Sequence, residues 1–116
     1  SNMTIHKLSS SNQQLILNGS GTSQIGDWYQ INNYNEIVFQ AYAKSGTGAG
    51  LYSGTVTIEE SLTDDNIAVP EVVMTFTAAG VQSQVNFGAN LLRAKSGSNW
   101  VGDEFVILMQ GREDAY

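Results

Sequence analysis

The sequence predicts an all-β domain: an antiparallel two-sheet β-sandwich of about seven or eight strands, jelly-roll-like or in another Greek-key order. Three observations carry this expectation. Residues 36–44 alternate cleanly, with Ile37, Phe39, Ala41 and Ala43 on one face and Val38, Gln40, Tyr42 and Lys44 on the other, the pattern of a half-buried antiparallel strand. Thr55-Val56-Thr57-Ile58 is a β-branched run between Gly54 and the turn cluster Thr63-Asp64-Asp65-Asn66, and such side chains fit a pleated surface. Turn signals recur every ~8–12 residues, while no segment carries a sustained i, i+3, i+4, i+7 apolar stripe.

In chain order, residues 4–8 and 13–18 are the first extended segments, separated by Ser9-Ser10-Ser11-Asn12. Residues 18–23 read as a polar, glycine-containing loop, and residues 28–31 as a short strand bearing Trp28 and Tyr29. After the strand at 36–44, the glycine-rich run at 45–50 reads as a hairpin connection. Residues 51–61 follow as an interior strand around which the others are laid out, with Val56 and Ile58 on one face and Thr57 and Glu59 on the other. One helical turn is the only helical candidate, near residues 63–67. Residues 71–78 place Val72, Met74 and Phe76 opposite Val73, Thr75 and Thr77; Ala79-Gly80 reads as a turn. Strands at 83–88 and 91–96 follow, and residues 104–110 close the fold with Phe105, Ile107 and Met109 alternating against Val106 and Leu108, apolar on both faces.

The 116 residues suffice for one core without covalent staples, so one domain is expected over residues 4–116. Ser1-Asn2 ahead of Met3 reads as a tag remnant, with Met3 as the native start of a short, complete protein. The chain has no cysteine, which excludes disulfides, thiolate metal sites and cysteine nucleophiles. Eleven acidic against five basic residues give a net charge of −6, the wrong balance for neutralising nucleic-acid phosphates. No apolar run reaches the ~18 residues of a spanning helix, so neither a nucleic-acid nor a membrane partner is expected.

Candidate chemistry is sparse, and no catalytic, cofactor-binding or metal-binding residue is assigned. Glu59, Glu60, Asp64 and Asp65 are the one acidic group; their spacing fits no EF-hand, and they read as a solvated turn, with calcium as the alternative. His6 is the single histidine and reads as a surface residue. The candidate interaction residues are Trp28, Tyr29, Tyr34, Tyr42, Tyr52 and Trp100, which serve the core, a subunit contact or the stacking of sugar rings. Arg93 joins them as a charge in mid-strand, either snorkelling to the surface or paired with Glu59 or Glu104.

Five segments together resemble a class of proteins: Trp28-Tyr29-Gln30-Ile31, Ile37-Val38-Phe39-Gln40-Ala41, Val56-Thr57-Ile58-Glu59-Glu60-Ser61, Leu91-Leu92-Arg93-Ala94-Lys95 and Val106-Ile107-Leu108-Met109-Gln110-Gly111. They are similar to small β-sandwich structural proteins of tailed bacteriophages and prophages, over roughly residues 26–112. Glu60 stands where that pattern usually has glycine, and Ile67-Ala68-Val69 replaces the tryptophan that often follows the acidic pair. The resemblance implies a virion component: a capsid decoration, head–tail or tail protein, not an enzyme. It implies a homo-oligomer that binds itself and other virion proteins, synthesised in a host cytoplasm and resident in the particle. A glycan-binding module is the alternative expectation, carried by the aromatic residues.

Overall fold

The computed structural model describes residues 5–17, 24–31, 34–43, 52–53, 56–65, 67–77, 80–85, 87–96, 101–102 and 105–113. Twelve strands, and no helix, are found among them: β1 (Ile5–Lys7), β2 (Gln13–Leu17), β3 (Gln24–Ile25), β4 (Trp28–Gln30), β5 (Glu36–Ala43), β6 (Tyr52–Ser53), β7 (Val56–Ser61), β8 (Glu71–Phe76), β9 (Gly80–Val85), β10 (Leu91–Ser96), β11 (Val101–Gly102) and β12 (Phe105–Arg112). One sheet has the order β2-β12-β5-β9. The other runs β1-β4-β10-β7-β8, with β3 also on β10, and β6 and β11 form a two-stranded ladder of their own. Every pairing is antiparallel except β1 on β4, where Ile5, His6 and Lys7 lie opposite Trp28, Tyr29 and Gln30.

The pairs β2·β12, β4·β10, β5·β9 and β7·β8 nest one inside the next around the β7–β8 connection, and, β3 and β4 apart, successive strands otherwise change sheets. That is the order of a jelly roll, two interlocked Greek keys closed into a double-layered sheet. The expected fold class is therefore the observed one. Between the layers lie Ile37, Phe39 and Ala41 of β5, Ile107 and Met109 of β12, Val56 and Ile58 of β7, Met74 and Phe76 of β8, and Leu92 and Ala94 of β10. Phe39, Ile58, Leu92 and Ile107 have no exposed surface. Each such burial removes roughly 1.5–3 kcal/mol worth of apolar surface from water.

Four local features depart from strict alternation. β3 and β4 are one strand interrupted at Gly26-Asp27: Ile25 faces Lys95 and Tyr29 faces Leu92, so one extra residue is accommodated, and Gly26 N–H donates to Ala94 O at 2.9 Å. In β7·β8 the register shifts, with Ile58 opposite Met74 but Glu59 opposite Val72. The shift turns Val72 out, 50% exposed, and packs Val73 against the core, the reverse of the expected faces. β9 starts at Gly80, where a turn was expected, and ends at Val85, so Phe87 leaves the strand and tilts against Phe39 with ring centroids 6.4 Å apart. Residues 64, 65 and 67 form bends rather than a helical turn.

Two glutamines stitch the open sides of the sandwich. On one side Gln13 of β2 accepts from Ser9 N–H at 2.7 Å and donates to Lys7 O of β1 at 2.9 Å. On the other, Gln82 of β9 donates to Thr75 O of β8 at 3.1 Å. Each joins an edge strand of one sheet to an edge strand of the other, occupying a carbonyl that would otherwise invite a foreign strand.

Candidate functional site

β10 is buried on both faces: Leu91, Leu92, Arg93 and Ala94 are all enclosed. Leu92 and Ala94 point into the core, so Arg93 points to the opposite face, where Glu59 lies directly across in register on β7. Arg93 Nε donates to Glu59 Oε1 at 2.7 Å, and both side chains are under a tenth exposed. The guanidinium lies 4.3 Å from the centroid of the Trp28 ring, which is fully buried. Trp28, Arg93 and Glu59 form one row across β4, β10 and β7. Of the two alternatives for Arg93, pairing is the one observed, with Glu59; Glu104 lies outside the described residues. Trp28 Nε1 has no hydrogen-bond partner among the described residues. A row this enclosed braces the sheet and offers no surface to a ligand.

A second cluster forms at the bulge. His6 Nε2 lies 2.9 Å from Asp27 Oδ2, and the imidazole stacks on Tyr29 with centroids 4.7 Å apart. Burial, and secondarily the Asp27 charge, hold the Tyr29 phenol above its ordinary pKa. Neither neighbour is a serine, threonine or cysteine nucleophile, so the contacts do not make a triad. His6 and Asp27 are about two-fifths and one-half exposed, and a pair this wet is worth ~0–1 kcal/mol. It clips β1 onto the sheet.

The acidic group is taken apart by the fold. Glu59 and Glu60 point to opposite faces, as alternation requires. Glu60 reaches the other way from Glu59, and its Oε2 accepts from Gly88 and Ala89 N–H at 2.9 and 3.2 Å. Asp65 Oδ1 accepts from Thr63 Oγ1 and from Ile67 N–H, both at 3.0 Å, and these bonds lower its pKa. Three of the four carboxylates thus serve the chain's own donors, and no group of three metal-ligating side chains occurs among the described residues.

The Asp65 bonds tie Thr63 and Ile67 within the β7–β8 connection, residues 62–70, which also exposes large apolar side chains. Leu62 is 77% exposed, Ile67 84% and Val69 91%, while Val72, separately, is turned outward on β8 opposite Glu59. A cavity of about 360 Å³ runs alongside Leu62, Val69, Gly88 and Ala89. This patch was not among the expected interaction residues. Its signal in the sequence was three large aliphatics inside a segment otherwise written as a polar turn.

At the same end of the molecule, Tyr34 is half-buried between two further depressions of about 390 and 410 Å³. Its ring lies so close over Gly111 that a methyl group there would come within 2.5 Å of ring carbons. Of the remaining expected residues, Tyr42 is exposed on β5 and Tyr29 belongs to the core. Tyr52 pairs through its backbone with Gly102, and its side chain lies outside the described residues, as does Trp100. The structure brings together Trp28 and Arg93, while Tyr34, just ahead of β5, and Tyr42, on β5, lie away from them. The chain matches no family model, and comparison with curated proteins and with solved structures returns no significant match.

Proposed function

We propose that this jelly roll is a structural assembly module, a phage or prophage virion protein that works by binding further copies of itself and other virion proteins. The observation that carries the reading is the set of exposed aliphatics Leu62, Ile67 and Val69 on the β7–β8 connection, two of which, Leu62 and Val69, border one cavity, with Asp65 bonding across residues 63 to 67. Contiguous exposed aliphatics mark contact surfaces when they are pre-organised rather than floppy. Jelly rolls recur in viral capsids, and this supports the reading as analogy of fold only. The glutamine stitches leave edge-strand addition at Lys7 and Thr75 disfavoured, so the reading places contact on the loop and outer faces.

Asp64, Asp65 and Glu71 rim the patch, in a chain of net charge −6. Association between copies therefore strengthens as salt rises through ~0.15 M, because screening weakens the repulsion while leaving apolar contact intact. Light scattering after size exclusion at high protein concentration reads this directly. The expected result is a mass of several times 12.5 kDa, reduced to that value by joint Leu62→Ser, Ile67→Ser and Val69→Ser substitution. A strictly monomeric wild-type protein at every salt concentration refutes self-assembly. A coding position away from portal, terminase and tail genes would count against the virion assignment.

A further inference from the structure

We propose that the end of the sandwich around Tyr34 is a binding site for a neutral oligosaccharide. The two depressions flanking Tyr34 are shallow and mostly polar. Asn35 and Asn90 line one of them together with the apolar Ile31, Leu62 and Phe87, and Gln110, Arg112 and Glu113 line the other. Amides, a guanidinium and a carboxylate set about a tyrosine ring are the complement of a pyranose, whose hydroxyls both donate and accept while its C–H face packs on an aromatic. Asn35, Asn90, Arg112 and Glu113 are exposed and available for this.

The walls are pre-set. Asn35 N–H donates to Arg112 O at 3.1 Å, Ile31 N–H to Asn90 O at 2.9 Å and Gly111 N–H to Ser9 O at 2.9 Å. Gln110 Nε2 donates to Ser10 O at 2.6 Å, which orients its amide and leaves Oε1 as an acceptor. Glu60 fixes Gly88 and Ala89 from below. Three connections, β1–β2, β4–β5 and β9–β10, are thereby tied to β12 and β7 in one rim, so little ordering is left for a ligand to impose. The chemistry selects against the other ligand classes. Arg112 beside Glu113 leaves the second depression nearly neutral, unsuited to a phosphate in a chain already at −6. The polar lining of the second is equally unsuited to a lipid tail.

The proposal does not rest on the assembly reading, although Leu62 borders both surfaces, and it is tested on the whole chain with Leu62 left in place. Backbone amide shifts are followed by NMR during titration with maltotriose, cellotriose, chitotriose and lactose. At least one sugar is expected to give saturable shifts at residues 34–35, 88–90 and 110–113 below about 10 mM. Arg112→Ala and Asn90→Ala, both at exposed positions, are expected to weaken it about threefold to tenfold each while the spectrum stays dispersed. Joint Ile67→Ser and Val69→Ser, which lie outside both depressions, leave the affinity unchanged even where they abolish self-association. The proposal is overturned by saturable shifts confined to another surface, by no saturable shift with any of the four sugars, or by Arg112 and Asn90 variants that bind as well as the wild type.

Discussion

Replacing Arg93 with alanine removes the one cation that the structure places on Glu59, a carboxylate with a side chain only 7% exposed. Stripping one partner from a buried ion pair leaves a charge that the interior cannot solvate, at a cost of about 3–5 kcal/mol. The guanidinium also covers the Trp28 ring at 4.3 Å, a contact worth about 2 kcal/mol when shielded from water, though the two losses overlap and do not add. For a domain of this size each kcal/mol moves the midpoint by about 4 °C, so Arg93→Ala is expected to lower Tm by roughly 12–20 °C. Urea unfolding followed by circular dichroism should give a lower midpoint at unchanged slope. The double replacement Arg93→Met with Glu59→Leu removes both charges and keeps the volume, and should recover most of the loss, to within about 2 kcal/mol of the wild type. Arg93→Ala within about 1 kcal/mol of wild type would refute the reasoning, because it would mean that Glu59 finds water or another donor as readily as it finds Arg93.

Three smaller predictions follow from the same coordinates. The Asp65 carboxyl is held below its ordinary value of 3.8, so the order it gives to the 62–70 loop is present above that pH and lost as pH falls through the lowered pKa; the Ile67 amide shift should titrate with a midpoint under 3.8. Tyr29 is held above 10.0, so its contribution is complete below that pH and lost as pH rises through the raised pKa. In an NMR titration of its ring, Asp27→Asn should bring the midpoint down while leaving it above 10.0, since burial is the larger cause. Gly111→Ala drives a methyl into the Tyr34 ring and should cost about 1–3 kcal/mol in thermal unfolding, a loss that Tyr34→Ala in the same chain reduces.

The bearing of these residues on function was unevenly legible. Arg93 stood out as a charge in an apolar strand, and Glu59 was one of two partners that alternation allowed. Trp28 was visible as a large aromatic but not as the surface on which the guanidinium rests. The aliphatic patch on residues 62–70 was obscured because Thr63, Asp64 and Asp65 announce a turn, and turn chemistry says nothing of which side chains the turn holds out. His6 and Asp27, 21 residues apart, meet only because β1 adds in parallel to β4 and the bulge at Gly26-Asp27 swings the carboxylate toward it.

By itself the sequence determined, to within two residues, where β5, β10 and β12 run and how the side chains of β5, β7, β10 and β12 sort onto two faces, because the period of two is written in neighbouring residues and needs no partner to be read. It also determined that the layers would be joined without disulfides, since the chain has no cysteine. The tertiary structure alone decided the sheet order β2-β12-β5-β9 against β4-β10-β7-β8, the register shift that exchanges Val72 for Val73, and the gathering of three connections around Tyr34. Those outcomes depend on contacts between residues far apart in the chain, where closing the loops, filling the core and satisfying backbone donors must all be met at once, and no local pattern encodes that joint solution.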